Sequence, residues 1–460
     1  MNAFRSLLLI ALLAPLAAMV SCAGTTPSEE VTTLQSGAAG HVPSGEVTTL
    51  KPDAAGHAPS GEAIMLQPGV PGHPPSGADL QQAVARAATI PGVTIAIPSG
   101  EYHLVPQPYL DPTCGNCEDS GRSIPATLGL RITGEGITIR GTNADSVVIH
   151  THAGYGLLFE DCIDCRLEGV TVTGGERDTS GMATDAAIVV RRSSLTIHRC
   201  WISENLGDSA TVAATVVGIM GICGREDARI RITDCRILRN SWDGIALYRD
   251  AEAYIENCII DGVDSGRGGP NRGGRGVAIG ITWNARATVV GNLIRRYWKG
   301  IGIFVDAQAS VRENVIENLL TWGVALWDAE KGRPYGEIVW NAVYQTGACG
   351  ISVTRGLAGG REISRVAHNA LTLTGRNERY DDPELYCTQE ALALHALGPA
   401  IAIGPNHFYA NREAEDRAGQ RDESQAAFHR GIAPLLERLA QRPVLRKSEF
   451  LKVYGNPETQ

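Results

Sequence analysis

Apolar and polar residues alternate in short runs along most of this chain, and the runs keep closing in the same way. Ile-x-x-Cys ends at Cys200, Cys235 and Cys258; Val-x-x-Asn or Ile-x-x-Asn ends at Asn292, Asn314, Asn341, Asn369 and Asn406. The shortest steps are 23 residues (Cys235 to Cys258) and 22 residues (Asn292 to Asn314). Such a period is too short for a helical hairpin and fits one turn of a β-solenoid, with two or three short strands per turn. The predicted class is therefore all-β, a parallel solenoid of about ten coils. Stacked coils place equivalent residues in columns, so aligning the repeats maps the surface. The Asn and Cys columns read as structural: stacked amides bond one another and the backbone, and Cys fills the same slot as a small apolar group.

The ends break this pattern. Ser76 can cap a helix that places Leu80, Val84 and Ala87 on one face. Val93 to Ile97 then alternates like a strand, and Pro98-Ser99-Gly100 turns. A helix laid over the first coil would hide the open edge of a stacked sheet. Near the other end, 385–397 reads as helical, 400–409 as one more coil, and 425–439 as an amphipathic helix stopped by Arg442-Pro443. The organisation expected is a signal at 1–21, a disordered tether at 22–76, a β-helix at 77–380, and a last coil with a helical far-end cap at 381–460.

The first residues carry Arg5 and an apolar stretch from Leu7 to Ala18, too short to span a bilayer as a helix and suited to export. Met19-Val20-Ser21-Cys22 resembles the lipobox of bacterial lipoproteins. That resemblance implies lipidation at Cys22, and Ala23 after it is similar to lipoproteins sorted to the outer membrane. Three 16-residue copies follow at 30–45, 46–61 and 62–77, each ending Gly-His-x-Pro-Ser-Gly. Rich in Pro, Gly and Ala and lacking an apolar period, they suit a tether. His41, His57 and His73 recur in phase, as duplication alone would give.

Charge narrows the partners. The chain has 460 residues, a formal charge of −9, and 36 Arg against 5 Lys. An acidic balance argues against nucleic acid as a partner, but leaves room for a local Arg-lined cleft. Cys114-x-x-Cys117 and Cys162-x-x-Cys165 read as local disulfides or buried thiols before a shared zinc, given export. Cys349 and Cys387 are a further candidate pair.

The helix before the first coil, the Ile97-Pro98-Ser99-Gly100-Glu101-Tyr102 start, the Asn column, and Gly-Ile strands at Gly244-Ile245 and Gly300-Ile301 together resemble the right-handed parallel β-helix superfamily of pectate lyases and related carbohydrate-active proteins. The resemblance covers residues 77 to 410. It implies a right-handed coil and a substrate cleft over one parallel sheet; the pectate-lyase catalytic signatures do not recur residue for residue. Extra residues enter at one place in the repeat, at 174–185, 204–217 and 261–277, so these loops should project on one side.

The sheet beside them can be read by alternation. Outward pairs are Ala246/Tyr248, Gly280/Thr282, Gly302/Phe304, Ala325/Trp327 and Ser352/Thr354, and the first column is small throughout. Small residues between long walls describe a groove. Trp242, Trp283, Trp298, Trp322 and Trp327 fall at its rim or on this sheet, with Tyr248, where aromatic rings suit sugar faces. Asp243 and Lys299 occupy equivalent positions two coils apart, roughly 10 Å at strand spacing. Lys299 is a candidate base, Asp243 its partner or a metal ligand, and Arg249, Arg272 and Arg275 candidates to neutralise a carboxylate. Asp178, Asp185, Asp208 and Asp264 lie in the long loops and would supply oxygen ligands to Ca²⁺.

The functional expectation is a monomeric, exported, lipid-anchored protein that binds an acidic polysaccharide. Its leading activity is lyase chemistry by β-elimination. The alternatives are a glycoside hydrolase, using Asp243 with Asp306 or Asp264, and a non-catalytic binder or assembly protein.

Overall fold

The computed structural model describes residues 63–66, 76–354, 364–378, 389–395, 401–413 and 419–455. Three long sheets run side by side down the molecule. Sheet I has 12 strands, from Ala63–Met65 to Ile401–Ile403; sheet II has 11, from Gly100–His103 to His407–Tyr409; sheet III has 11, from Gln107–Asp111 to Leu392–His395. The chain visits sheets III, I and II in turn. Ala186–Arg191, Ser194–His198 and Trp201–Ser203 make one such coil. Neighbouring strands run parallel, save for the antiparallel pair Gln107–Asp111 with Ile124–Glu135. This is the right-handed parallel β-helix expected.

The apolar positions of the repeat form the core because stacking puts them in register. Ile197, Ile232, Ile255, Val289, Val311, Ile338 and Val366 follow one another down sheet I, all fully buried. A corner follows each. The residue just before the Cys or Asn slot is left-handed in coil after coil, as at Arg199, Asp234, Glu313 and Trp340, with φ from 52° to 59°. Such a conformation is strained for a residue with a Cβ, and from Cys258 onward the Asn column ties the corner down. Asn292 Oδ1 accepts the N–H of Cys258 at 2.9 Å; Asn314 Oδ1 accepts the Asn292 N–H at 2.9 Å and its Nδ2 at 3.1 Å. The ladder continues through Asn341, Asn369 and Asn406. A second, shorter ladder, Asn205 to Asn240 at 2.8 Å, marks the corner between sheets II and III.

Helix α1 (Gly77–Ala87) starts on a Ser76/Asp79 capping box and buries Leu80, Val84 and Ala87 against the first coils, as its spacing predicts. The tether expectation needs correction at its end: Ala63–Met65 adds the edge strand of sheet I, and Leu66 enters the core. In the third repeat copy Ile64 and Leu66 stand at alternate positions, as a strand with one buried face requires. The helix expected at 385–397 is also corrected. Leu392–His395 is a sheet III strand, with Leu392 in register with Ile351 and fully buried; the residues before 389 lie outside the described ones.

The second amphipathic helix is present as α3 (Gln425–Ala440), following a one-helix insert, α2 (Ser209–Thr215), in a long loop. After a 3₁₀ turn at Pro443–Lys447 comes α4 (Glu449–Tyr454). These helices lie along the outer face of sheet II, and not across the far end. Phe428, Ile432, Leu435, Leu439 and Phe450 pack on the outward column Leu293, Val315, Ala342 and Ala370. Glu317 on that face accepts the N–H groups of Glu449 and Phe450, and Arg442 bridges Glu256 and Glu313. An apolar outer face on sheet II is the reason: it needs a cover, and the C-terminal strap supplies it.

Cys114 and Cys117 are joined by a disulfide, while Cys162 and Cys165 are buried free thiols, so no shared zinc site forms. Cys349 is disulfide-bonded, and Cys387 lies outside the described residues.

Candidate functional site: the outer face of sheet III

All three long loops connect sheet II to sheet III and so share one flank, as the repeat alignment predicts. The loop at 174–185 precedes Ala186–Arg191, that at 204–217 precedes Met220–Arg225, and that at 262–276 precedes Val277–Ile281. They are tied together. Arg177 Nε donates to Val217 O at 3.0 Å, and the Arg275 guanidinium donates to Pro270 O at 2.6 Å and Val216 O at 3.2 Å.

The floor column is continuous: Cys223, Ala246, Gly280, Gly302, Ala325, Ser352 and Ala393 follow in register. A Cβ on Gly302 would strike the Phe304 ring at 2.2 Å, so that ring already fills the space above Gly302. A Cβ on Gly280 would meet only Asp243 Oδ2 at 3.8 Å and Val277 Cβ at 3.9 Å. The unfilled part of the floor is therefore at Gly280, beneath the Asp243 carboxylate.

Asp243 and Lys299 lie on one edge of sheet III with Val277 between them: the Val277 N–H donates to Asp243 Oδ1 at 2.6 Å, and Val277 is the register partner of Lys299. Each is only 6% exposed. Lys299 Nζ sits 4.9 Å from the Trp298 ring centroid and 4.7 Å from that of Trp322, between two cation–π faces. Burial pushes the Lys299 ammonium down to about 8, opposed by the charge of Asp243. Burial pushes the Asp243 carboxyl up to about 7, opposed by the Val277 N–H and by Lys299. Among the described residues the two form no ion pair within 4.0 Å.

The remaining nominated residues divide. Arg275 stays on the same edge, its guanidinium 5.6 Å from the Trp242 ring centroid, and burial lowers its pKa. Arg249 does not join them. It lies six residues along the coil from Asp243, about 20 Å at strand rise, and donates to the carbonyls of Cys114 and Gly115. Arg272 is exposed, 3.9 Å from Asp264. The aromatic rim is corrected as well. Trp242, Trp322 and Tyr248 are buried packing groups, whereas Trp283, Trp298 and Trp327 are half-buried. Trp283 Nε1 donates to Asn116 Oδ1 at 3.1 Å, and Trp327 meets Phe304 edge-on. Trp283 and Trp327 stand at the C-terminal ends of their strands, away from Asp243, and Trp283 fastens the covering segment at Asn116 to the coil.

The Ca²⁺ cluster does not assemble. Asp178 accepts the N–H and hydroxyl of Thr127, Asp208 caps α2, and Asp264 takes Arg239 at 2.8 Å and the Gly273 N–H at 2.9 Å. Asp185 is fully buried against Arg177, with burial pushing its carboxyl up to about 7. Each carboxylate is taken up by protein donors, Asp178 and Asp264 tying their loops to Thr127 and Arg239 of the coil. The hydrolase pair fares no better: Asp306 binds the Asn284 N–H on the opposite edge of sheet III from Asp243, and Asp264 is bound to Arg239. A cavity of about 690 Å³ lies off this face, on the loop flank beside α4, lined by Arg267, Arg296, Arg376, Gln345 and Glu449.

Sequence reasoning missed a buried charge network on the same sheet. Glu160, Arg191 and Arg225 are outward residues of successive strands, in register. Arg225 contacts Asp111; Arg191 reaches Asp111 at 3.0 Å, Glu160 at 3.3 Å and Glu226 at 3.2 Å; Tyr155 donates to Asp111 at 2.7 Å. The segment 112–123 covers them, held by Arg249, by Trp283 and by Lys331 to Glu118 at 2.7 Å. The signal was present: Arg191 and Arg225 end equivalent apolar runs two residues after Val189 and Cys223.

Residues 128–268 and 186–369 match the family described as the right handed beta helix region. Together the matches span more than half of the chain, and the protein belongs to this family. No curated protein matches the sequence. Solved structures similar to it include an alginate lyase from Paenibacillus sp. str. FPU-7, at 12% identity over 76% of this chain and 99% of that one, TM-score 0.40. An exopolygalacturonase from Thermotoga maritima gives 13%, 76%, 92% and 0.42. PfbA, a surface adhesin of Streptococcus pneumoniae, gives 9%, 69%, 68% and 0.36. Likeness at this level says nothing about chemistry.

Proposed function

We propose that this protein is a carbohydrate-active β-helix whose sheet III edge cleaves a uronate-containing polysaccharide by β-elimination. The observation that carries the reading is Lys299: a nearly buried ammonium, flanked by Trp298 and Trp322, with its pKa pushed to about 8. A lysine so placed is a competent base near neutral pH. The free amine takes the proton beside the uronate carboxylate, the C–O bond to the leaving sugar breaks as the double bond forms, and the departing oxygen takes up a proton from the Lys299 ammonium or from water. Arg275 is the cation on the same edge that would face the substrate carboxylate. Asp243 holds Lys299 in its charge field and borders the unfilled floor at Gly280. Ca²⁺ is an optional substrate-side counterion in this reading.

The location belongs to the same proposal. Residues 1–62 lie outside the described ones; their signal-like stretch and Cys22 support export and a lipid anchor, with the repeats holding the β-helix off the membrane. The test is a screen of the purified full chain, with and without Ca²⁺, against polymers of galacturonate, glucuronate, mannuronate and guluronate. Product with new ultraviolet absorbance supports the lyase. New reducing ends without that absorbance make it a hydrolase, and retention without cleavage makes it a binder.

A further inference from the structure

The outer face of sheet II carries a cluster that the sheet III edge does not use. Glu101 and His103 are alternate, exposed residues of the strand Gly100–His103. His150 ends the neighbouring strand, in register with His103. Glu101 Oε2 lies 3.7 Å from His103 Nε2 and 3.8 Å from His150 Nε2, and ligand atoms of the three residues all lie within 4.8 Å of one another. His150 Nε2 is buried without a hydrogen-bond partner. His152, two residues on with a φ of 52°, brings its Nε2 to 3.1 Å from His103 Nδ1.

Tetrahedral zinc with bonds near 2.1 Å sets its ligand atoms about 3.4 Å apart. The two separations from Glu101 are within a few tenths of that figure. Imidazole and carboxylate are the donors that borderline divalent ions prefer. We propose that Glu101, His103 and His150 bind a divalent transition-metal ion of the zinc type, with His152 orienting His103 from behind. When His103 donates its Nδ1–H to His152, the Nε2 lone pair is left free to face the ion, a common arrangement for metal-bound histidine. The rings of His103 and His150 stack at 4.2 Å with 7° between their planes. A metal is met in the ring plane, so binding turns His103 out of that stack; its exposed position permits the turn. The ion joins Glu101 and His103 of the first coil to His150 of the second, clamping the solenoid next to α1.

The test uses the full chain, stripped with a chelator and titrated with Zn²⁺ by calorimetry, beside the variants H103N/H150N and E101Q. His41, His57 and His73 are present in every sample, so zinc held by the repeats cancels in the comparison. The expected result is one more zinc equivalent on the natural chain than on H103N/H150N, and a melting temperature that rises with Zn²⁺ only in the former. E101Q, at an exposed position that leaves the core untouched, should bind more weakly, as should H152N by about 10–100-fold. Equal zinc uptake and equal melting shifts in the natural chain and in both H103N/H150N and E101Q overturn the site.

Discussion

Asp243 accepts the backbone N–H of Val277, and Val277 is the register partner of Lys299. One rung of backbone therefore separates a buried carboxylate from a buried ammonium on a single sheet edge. The spacing is too wide for an ion pair and close enough for each charge to act on the other. Burial dominates both, so the carboxyl titrates at about 7 and the ammonium at about 8. Both protons thus lie within easy reach of neutral pH, where acid–base catalysis is most efficient.

Lyase activity should follow the free amine. As pH rises through about 8, Lys299 loses its proton and kcat/KM should climb, then level off. Lys299→Ala should lower kcat by about 10²–10⁴-fold, the usual contribution of a positioned base, while polymer retention on an affinity gel stays unchanged. Ultraviolet absorbance of the unsaturated product, followed across pH, checks both. A natural chain whose activity is flat between pH 7 and 9 removes Lys299 as the base.

Asp243 should make stability depend on pH in a definite direction. Its folded pKa of about 7 lies above the ordinary 3.8, so the folded state binds the proton more tightly than the unfolded state. Its contribution is fully present below pH 3.8 and is lost as pH rises to about 7. Asp243→Asn removes this loss. The variant should gain on the natural chain by at most about 1.4 kcal/mol per pH unit between pH 4 and 7. Urea unfolding at a series of pH values reads the difference, and parallel curves would show that Asp243 titrates normally.

Gly280 separates fold from function. A Cβ added there meets Asp243 Oδ2 and Val277 Cβ at ordinary contact distance, and a β-branched side chain suits an outward strand position, so Gly280→Val should fold with an unchanged circular dichroism spectrum. The same side chain occupies the floor beneath the carboxylate. Activity should drop at least 100-fold, and polymer retention should weaken with it. An active, normally binding Gly280→Val chain would move the site away from this face.

How far the chain could be read depends on what stacking enforces. The Asn and Cys columns, the loop flank and the small floor are repeat properties, and register carries them from one coil to the next; Cys258, Asn292 and Asn314 do lie in one ladder. Lys299 and Asp243 were legible for the same reason. What alternation does not encode is the cover over an outward face. Trp242 and Tyr248 read as exposed because outward residues of a bare sheet are exposed, yet the segment 112–123 and the loop at 174–185 lie over that half. Leu392–His395 read as helix because the short apolar run Ala391 to Leu394 fits either period, and pairing to Ile351–Thr354 decided it. The C-terminal helices were legible one by one, but their resting place on sheet II depended on the outward column of Leu293, Val315 and Ala342.

The buried network beneath 112–123 should be the point where that cover is weakest to mutation. Arg225 is fully buried, touches Asp111, and lies 3.4 Å from Glu226, while a Cβ on Gly115 would strike its side chain at 2.6 Å. Arg225→Met keeps most of the volume and removes the charge. Glu160 keeps Arg131 and Arg192, while Asp111 and Glu226 are left to share Arg191, one buried negative charge too many. Breaking a buried pair in this way costs about 3–5 kcal/mol. Urea unfolding should register that loss, and limited proteolysis should cut within 112–123 faster than in the natural chain. Adding Asp111→Asn to Arg225→Met removes one of the stranded carboxylates and should recover part of the loss. If the double variant is less stable than Arg225→Met alone, Arg225 acts through packing on Gly115 and not through its charge.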